Sequence, residues 1–398
     1  MEVHEVVHEN LFERVIADGN LYLRFVGLKL DSKDGKRIFI DRLRFRRLFM
    51  FIFFYVNFDV CGQITWLLRS FVNGNDLIDI TFVLPCLLVT LMGSLKSFYF
   101  FKNVHHIHEV ITTLKKLKNE RLITRSNKDE FEKKCVRFLI TLHKITNCTT
   151  ILLLTSFGFA PLILTAMTFY SIGEIKLFYP FLFYYPFNAF DIRVYPFLYV
   201  QQVWSALVLV CTIWGPDSIC YAVVTLIIIQ YYSLKQDIIH LLPKSRNSEL
   251  FTANDVHRVK FREIISIAPS LNVIFSSTLI CFNVFNITAN DNMAIRAPCT
   301  SFLVMVLGQI FLLCYFGDII MRASMEVSDA VYECQWYGAE PAIARDLIII
   351  ALRANKPCKL TAYGFSDVNL TTFTKILSTS WSYLALLQTI YDKNNGEI

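Results

Sequence analysis

One apolar stretch decides how many times the chain crosses a membrane: Val194–Leu234, with the sequence VYPFLYVQQVWSALVLVCTIWGPDSICYAVVTLIIIQYYSL. It has 41 residues. A helix that crosses the roughly 30 Å hydrocarbon core of a bilayer needs only about 20. The sequence Trp214-Gly215-Pro216-Asp217 in its middle fits either a tight turn between two spans or a kink in one long helix. The charges of the flanking segments distinguish these two interpretations.

Six other segments are apolar enough, and long or nearly long enough, to cross a bilayer. They are Leu48–Leu68, Leu77–Phe101, Phe138–Tyr170, Ile264–Ile287, Ala297–Met321 and Ile376–Tyr391. The chain is 54% hydrophobic over 398 residues, which is more apolar than an average soluble fold of this size. The first 47 residues carry charges throughout and contain no short apolar signal-peptide core, so the first span is expected to start insertion.

Basic residues alternate between rich and poor segments along the chain. Thirty-two lysines and arginines lie in residues 1–47, 101–137, 233–262 and 322–375. Only four lie in the alternate stretches 70–76, 169–203, 286–297 and the C-terminal tail. Because basic segments stay in the cytosol, the N-terminus is predicted inside and the C-terminus outside. Dividing Val194–Leu234 into two spans would send residues 233–262 outside, so one long kinked helix is predicted.

The fold class predicted from these spans is an all-α membrane protein with seven transmembrane helices. G-protein-coupled receptors have the opposite orientation, with the N-terminus outside, so that class is disfavoured. The basic residues form separate blocks, not one stripe, which argues against a nucleic-acid partner. No paired histidine box, nucleophile elbow, phosphate loop or metalloprotease motif is present, so neither an enzyme nor a cofactor is predicted. The eleven cysteines are predicted to be buried thiols.

A series of short motifs runs from Ser324 to the end of the chain. In chain order they are Ala330-Val331-Tyr332, Trp336-Tyr337, Lys356-Pro357, Ala362-Tyr363-Gly364-Phe365, Phe373 and Ser380-Trp381-Ser382-Tyr383-Leu384. In this order they resemble the C-terminal part of insect odorant receptors. Gly215-Pro216-Asp217-Ser218, before a long apolar run, is a weaker resemblance in the fourth span. The first three spans agree with the family only in count, length and direction.

The resemblance implies an odour-tuning subunit of a ligand-gated, poorly selective cation channel in the plasma membrane. Four subunits would surround one pore, usually with a shared olfactory co-receptor among them. The other partners would be a volatile small-molecule odorant and membrane lipids. A gustatory-type receptor of the same superfamily is the alternative, although the gustatory signature differs at Ser380 to Leu387.

The same resemblance implies a division of the chain into five parts. They are a cytosolic N-terminal segment (1–47), spans one to six with the odorant pocket (48–325), a cytosolic anchor region (326–375), a pore-lining last span (376–391) and a short extracellular tail (392–398). Pro341 suits the first turn of a helix. Ala342–Ala354 then predicts a short amphipathic helix with one apolar face: Ile343, Leu347, Ile350 and Ala354. It would be the cytosolic half of a split last span, and a helix lying on the membrane is the alternative.

The last apolar segment, Ile376–Tyr391, contains no charged residue and is short for a span that faces lipid. It is long enough for a helix shielded by its neighbours that faces a water-filled channel. One helical stripe carries Ser378, Ser382, Leu386, Thr389 and Ile390. The resemblance implies that Leu386 and Ile390 form a hydrophobic constriction, with Thr389 or Gln388 as the polar contact beside it. Such a constriction closes a channel by excluding water. The alternative interpretation of this stripe is an ordinary helix-packing face.

An odorant site is expected to be an apolar, aromatic cavity between helices with a few hydroxyl groups. The family places it between the outer halves of spans two, three, four and six. The candidate residues there are Phe82, Val83, Ser156, Phe157, Phe159, Tyr199, Val203, Thr300 and Ser301. Aromatic residues at helical spacing also fit an ordinary core. The aromatic loop Phe178–Pro196 is predicted to be a structured cover over the cavity.

Several polar residues outside these sets have expected roles. Asp59 in the first span is predicted to pair with a neighbouring helix or a water, while Lys96 and Lys144 are predicted to reach the cytosolic headgroups. Asn286-Ile287-Thr288 lies on the predicted outer side and is a candidate glycosylation site. The other two sequons, at Asn147 and Asn369, are interpreted as chance matches. The three histidines in the basic stretch 101–137 are predicted to lie on a solvated helix face and not in a metal site: His105, His106 and His108.

Overall fold

The computed structural model describes residues 16, 19–28, 37–74, 77–122, 128–173, 175–239, 254–290, 292–334, 336–338, 341–362 and 366–395. Six long helices come first: α1 (Arg37–Asn73), α2 (Leu77–Leu122), α3 (Lys128–Ile172), α4 (Tyr195–Ile239), α5 (Asn254–Ala289) and α6 (Met293–Glu333). A 3₁₀ turn (Trp336–Gly338), α7 (Pro341–Ala354), β1 (Thr361–Ala362), β2 (Ser366–Asp367) and α8 (Leu370–Asn395) follow. The two short strands are antiparallel, with Thr361 opposite Asp367. The all-α prediction is confirmed.

Each of α1 to α6 contains a stretch long and apolar enough to cross a membrane, and α8 is not among the helices that qualify in the described part of the chain. This agrees with the shortness of the last apolar segment, Ile376–Tyr391, in the sequence. The prediction of one continuous fourth helix is confirmed, since Trp214 to Asp217 lie inside α4. With 45 residues, α4 is roughly 68 Å long at about 1.5 Å per residue. It therefore extends well beyond a bilayer.

The centre of the fold is α4, which packs against α1, α2, α3 and α6. Most of its side chains are buried, including the whole run from Val210 to Ile219. By contrast, α1 and α3 leave large apolar side chains such as Phe54, Phe58 and Ile151 exposed. An exposed apolar surface on this scale fits helices that contact lipid. The extent to which their side chains are buried therefore distinguishes α4, which faces protein, from α1 and α3, which face lipid.

Residues 19–25 form a short helical segment before α1 that packs against the middle of α4. A Cβ added at Gly215 would lie 2.9 Å from Leu23 Cδ2, so a larger residue there would require the Leu23 side chain to move. The Tyr22 hydroxyl donates a hydrogen bond of 2.6 Å to Asn147 Oδ1 on α3. The segment is thereby held against both helices. Gly27 then turns the chain back with a φ of 83°, a conformation that favours glycine.

The region after α6 is a small unit that positions the start of α8. Helix α7 packs on α6, with Leu347, Ile350 and Ala354 buried, which confirms the amphipathic helix and favours packing on protein over the membrane-surface alternative. The backbone N–H of Cys358 donates to Ser324 Oγ at 2.8 Å. Asn369 caps α8, since its Oδ1 accepts the Thr372 backbone N–H at 2.9 Å. Tyr363, Gly364 and Phe365 of the sequence motif lie outside the described residues.

The structure corrects two expectations about buried groups. Lys96 does not reach toward headgroups, because its side chain is fully buried and pairs with Asp217 of α4. Lys144 is exposed, as expected. The prediction of buried thiols is wrong for Cys61 and Cys148, which are exposed on the lipid-facing helices α1 and α3.

Candidate ligand cavity and the exposed face of helix α8

A cavity of about 70 Å³ lies between α1, α2, α3, α4 and α6. A single buried water needs roughly 10–15 Å³, so the space suits several waters or one small organic molecule. Its wall is mostly apolar and aromatic. The lining residues are Val56, Asp59, Gln63, Cys86, Val89, Thr90, Leu153, Leu154, Phe157, Phe181, Phe183, Ser205, Ala206, Leu209, Val210, Ile213, Trp214, Phe302 and Met305.

The loop between α3 and α4 covers one end of this cavity. Phe181 and Phe183 of the loop line it, and the Phe157 ring stacks on Phe181 with centroids 5.4 Å apart. Gln202 of α4 holds the loop in place, because its Oε1 accepts the Phe181 backbone N–H at 3.0 Å and its Nε2 donates to the Tyr185 hydroxyl at 3.2 Å. Burial raises the pKa of Tyr185, which keeps this hydroxyl neutral. The loop is therefore the structured cover that its aromatic sequence predicts.

Asp59 is the one acidic residue among those that line the cavity, and it lies on α1 with 5% of its surface exposed. Its carboxylate accepts hydrogen bonds from the Ser205 hydroxyl and, at 3.1 Å, from Gln201 Nε2. Gln201 Nε2 also lies 3.2 Å from the Tyr55 hydroxyl. These bonds join α1 to α4, which confirms the expected pairing of Asp59 with a neighbouring helix. The side chain also lines the cavity.

Of the nine candidate pocket residues, the structure places Phe157 in the cavity wall. The others are not part of that wall. Ser156, Thr300 and Ser301 use their hydroxyls on carbonyls of their own helices, and the Tyr199 hydroxyl donates to the Gly158 carbonyl of α3. Phe159 is 60% exposed and Val203 37% exposed. Val83 belongs to a separate core cluster with Leu67 and Ile80, and Phe82 is half-buried nearby.

Of the cavity residues that sequence reasoning missed, six lie on α4, three each on α1 and α2, and two each on α3, α6 and the loop between α3 and α4. Only one signal in the sequence pointed to them. Asp59 and Gln63 lie four residues apart, which places both on one face of α1. An ionisable residue inside a span is a candidate functional group by default. Which face of each helix turns inward is decided by packing between helices, so the remaining residues carried no local signal.

A buried ion pair lies next to the end of the cavity that Ile213 and Trp214 line. Ile213 and Trp214 of α4 line the cavity, and Asp217 lies about one turn further along. Lys96 Nζ of α2 contacts both carboxylate oxygens of Asp217, at 3.0 and 2.9 Å. Gln309 Nε2 of α6 donates to the same carboxylate at 2.5 Å. The three side chains join α2, α4 and α6 where α4 carries its proline.

Helix α8 packs on α5 and α6 along one side only. Ile376, Ser380 and Leu384 are buried on that side, and the Tyr391 ring meets Phe285 of α5 at 5.5 Å. The predicted pore stripe lies on the uncovered side. Its members are exposed in the single chain: Ser378, Ser382, Leu386, Thr389 and Ile390. Gln388 is partly buried at the edge of this stripe.

The whole-chain comparisons agree on one family. The sequence matches the model of the 7tm Odorant receptor family over residues 76–381. The chain belongs to this odorant receptor family. It is 24% identical over 362 residues to Odorant receptor 67c of Drosophila melanogaster, covering 85% of this chain and 87% of that one. Putative odorant receptor 92a of the same organism is 25% identical over 385 residues, covering 90% and 92%.

The fold of the receptor matches solved structures of the same family. The insect olfactory receptor OR5 from Machilis hrabei in complex with eugenol gives a TM-score of 0.78 at 14% identity, covering 96% of this chain and 99% of that one. OR5 without that ligand gives a TM-score of 0.76. These matches and the six apolar helices make the receptor a multi-pass membrane protein. By its family it is a receptor, not an enzyme.

Two expectations about modification and metal sites are answered by the described residues. Asn286 is 1% exposed, and its Nδ2 donates to the Thr81 and Phe282 carbonyls at 2.9 and 2.8 Å. This burial leaves no room for a glycan, so the structure argues against the predicted glycosylation. His105 and His106 are exposed on α2, as expected, and His108 is half-buried. No group of three or more candidate metal ligands occurs among the residues that the structure describes.

Proposed function

We propose that the receptor is the odorant-binding subunit of a ligand-gated, poorly selective cation channel in the plasma membrane. The observation that carries this proposal is the pairing of two features in one chain. One is a covered, aromatic cavity of the kind that holds small apolar molecules. The other is a helix, α8, whose hydroxyl and apolar side chains face away from its own chain. A ligand site and a channel wall are the two parts that such a receptor requires.

The ligand is a volatile, mostly apolar odorant that binds in the cavity. Phe157, Phe302 and Trp214 are among the aromatic rings that offer it flat contact surface, and Thr90 and Ser205 supply hydroxyls. OR5 of Machilis hrabei, which has the same fold, is described in complex with eugenol, a small aromatic molecule. The cover formed by Phe181 and Phe183 would have to move, or leave a gap, for the ligand to enter.

The uncovered face of α8 lines the pore in an assembly of four chains, in which olfactory co-receptor subunits complete the ring. Ser378 and Ser382 suit water at one end of the stripe, while Leu386 and Ile390 form the hydrophobic constriction, with Thr389 and Gln388 beside it. The channel opens when this ring widens and water enters. The face has no ring of charged residues, which fits poor selectivity among cations.

Helix α6 is the physical link between cavity and pore. It contributes Phe302 and Met305 to the cavity wall, and further along it packs on α8, where the Phe311 and Phe373 rings meet at 5.6 Å. A ligand that fits better when α6 is displaced would therefore favour the open arrangement of α8. The ligand shifts the gate only as far as its affinities for the open and closed forms differ.

The proposed orientation follows from the basic segments. The N-terminus and the region from 326 to 375 lie in the cytosol, the loop between α3 and α4 faces outward, and the tail after α8 is extracellular. In this orientation α7 and the β1–β2 hairpin are the chain's part of a cytosolic anchor, and α1 to α6 form the ligand-binding unit. Epitope tags at the two termini, probed on intact and permeabilised cells, would test it.

The deciding experiment is expression with and without the olfactory co-receptor in a cell of low background. Membrane current is recorded during a panel of volatiles while G-protein signalling is blocked. We expect fast cation current that requires the co-receptor and survives the block. Current that disappears with the block would instead support a G-protein-coupled mechanism and overturn the proposal.

Phe157→Ala is expected to raise the concentration of an active odorant needed for half-maximal current. The substitution removes a buried ring that stacks on Phe181 and meets Phe302 edge to face at 6.3 Å. Losing about 1.5–3 kcal/mol of apolar contact corresponds to a roughly 10- to 150-fold loss of affinity. Phe159→Ala is the matched control, because that ring is two residues away on α3 and 60% exposed. Equal increases in the half-maximal concentration for the two variants would show that Phe157 does not contact the odorant.

Leu386→Ser is expected to raise the current that flows without odorant. A hydroxyl at a hydrophobic constriction lowers the barrier to wetting, and each 1.4 kcal/mol removed would raise basal conductance about tenfold. Leu387→Ser is the control, since Leu387 packs on the core cluster of Cys281, Phe285 and Leu384 within the chain. The readout is basal current at matched surface expression. An unchanged basal current in Leu386→Ser would place the gate elsewhere.

A further inference from the structure

The cavity contains a buried carboxylate with no basic partner. Among the described residues, the other two buried aspartates each form an ion pair: Asp217 with Lys96, and Asp318 with Arg322. Asp59 has no ion pair in that part of the chain, and its recorded partners, Ser205 and Gln201, are neutral. A carboxylate has about four acceptor positions, and these two bonds leave some of them open. A buried charge without a counter-ion is costly, so a ligand that brings a positive charge would gain from it.

A second acceptor lies one helical turn away. Gln63 also lines the cavity and is 3% exposed, and its buried Oε1 has no hydrogen-bond partner among the residues that the structure describes. Side chains four residues apart on a helix are neighbours, with Cβ atoms about 5–6 Å apart. A group with several N–H donors can therefore bond to both oxygens at once. A hydroxyl has a single O–H to donate and can satisfy only one of them.

Aromatic rings surround the same space. Phe157, Phe181, Phe183, Phe302 and Trp214 all line the cavity. The face of an aromatic ring attracts a cation, and this attraction is strongest where water is excluded. An ammonium group would thus meet a carboxylate, an amide oxygen and ring faces, while an apolar tail would fill the remaining wall. Each of these observations stands without the others.

We propose that the cavity is selective for a protonated primary amine that carries an aromatic or aliphatic body of about the size of a phenylethyl group. The ammonium nitrogen binds between Asp59 and Gln63, and the body packs among the phenylalanines. This inference rests on the proposed function, in which the cavity is the odorant site. A neutral alcohol of the same skeleton is the competing ligand class.

The test compares 2-phenylethylamine, 2-phenylethanol and ethylbenzene on the complete channel, co-expressed with the olfactory co-receptor. The three share a skeleton and differ in the head group. A hydrogen bond to a charged group contributes about 1.5–3 kcal/mol, so the amine is expected to act at concentrations roughly 10- to 100-fold below those of the alcohol. Asp59→Asn should remove this advantage, so that the amine and the alcohol act at similar concentrations. Asp329→Asn, an exposed aspartate on α6, is the control.

Because Asp59 also joins α1 to α4, surface expression is measured for every variant. If Asp59→Asn does not reach the surface, Gln63→Leu carries the test, since it removes the second acceptor and leaves the carboxylate. Its expected effect is about a 3- to 10-fold loss for the amine alone. Equal potency of amine and alcohol, or equal losses for both in these variants, would overturn the proposal and leave Asp59 as a helix-pairing residue. If no volatile gives current, the proposed function itself fails.

Discussion

Lys96→Met should leave little receptor at the cell surface. The substitution fits the space of the lysine stem but leaves the carboxylate of Asp217 buried, with Gln309 as its remaining side-chain donor in the described part of the chain. Breaking a buried ion pair by removing one partner costs about 3–5 kcal/mol, because the remaining charge has lost its counter-ion. That is comparable to a large part of the stability of a typical domain. Surface biotinylation and thermal unfolding of the detergent-solubilised protein are the measurements.

Two further variants show whether the buried charge is the cause. Lys102→Met makes the same chemical change at an exposed position six residues further along α2 and should have little effect. Lys96→Met combined with Asp217→Asn removes both charges, and it should recover part of the lost stability. The interpretation is wrong if Lys96→Met and the exposed control Lys102→Met behave alike. It is also wrong if Asp217→Asn lowers the stability of the Lys96→Met variant as much as it lowers that of the unaltered receptor.

Gly317→Ala should separate α8 from α6 and abolish odorant-evoked current. A Cβ at Gly317 would lie 2.0 Å from the Val368 carbonyl oxygen and 3.0 Å from its carbon, far inside van der Waals contact. The neighbour is backbone, so no side-chain rotation relieves the clash. Val368 is itself held, since its N–H donates to the Leu360 carbonyl at 2.8 Å. Overpacking of this kind costs about 1–3 kcal/mol or more.

Gly308→Ala is the control for this prediction, because it lies on the same helix and a Cβ there would meet nothing within 4 Å. Alanine is the better helix former by about 0.8–1 kcal/mol, so this change should be neutral or slightly stabilising. The measurements are surface expression and odorant-evoked current for both variants. Normal evoked current from Gly317→Ala would show that the start of α8 tolerates displacement from α6, against the proposed coupling through that helix.

Substitutions at Lys96 and Gly317 are expected to have larger effects than substitutions at lipid-facing positions, for a physical reason. A lipid-facing leucine on α1 can be exchanged for another apolar residue because lipid adapts to its shape. Lys96 and Gly317 contact partners that are far away in sequence. Lys96 pairs with Asp217, 121 residues further along the chain, and Gly317 lies directly against the backbone of Val368. Each partner is a fixed part of another element. The largest effects are therefore expected where helices meet through buried charge or backbone contact.

The architecture was largely predictable from the sequence because its signals are local. The length of an apolar run decides whether a helix can span a bilayer, and the basic residues of 233–262 decided that Val194–Leu234 is one helix, which α4 confirms. The same holds for α7, where Pro341 and the spacing of Leu347 and Ile350 predict both the start of the helix and its buried face. The stripe of α8 was also readable, since helical periodicity places Ser382 and Leu386 on one face.

The cavity was not predictable in the same way. Of the nine pocket residues proposed from sequence, Phe157 lines the wall, while Phe159 and Val203 turn toward the surface. Aromatic and hydroxyl residues are common in every span, and their positions do not tell which side of a helix faces inward. That is decided by the rotation of each helix against its neighbours. The loop residues Phe181 and Phe183 reach the wall because the loop is held against two helices: Gln202 of α4 accepts the Phe181 backbone N–H, and the Gly62 carbonyl of α1 accepts that of Tyr184.

By itself, the sequence determined the all-α membrane fold, the continuity of α4, the amphipathic α7 and the exposed stripe of α8, because chain length, charge and periodicity act over a few turns of helix. Only the tertiary structure decided that Lys96 pairs with Asp217, that Asn286 is buried, and that Asp59 and Gln63 meet a ring of aromatic side chains in one cavity. Those contacts join residues from different helices, and their energies depend on which groups lose water together. Such contacts cannot be predicted from a local sequence pattern.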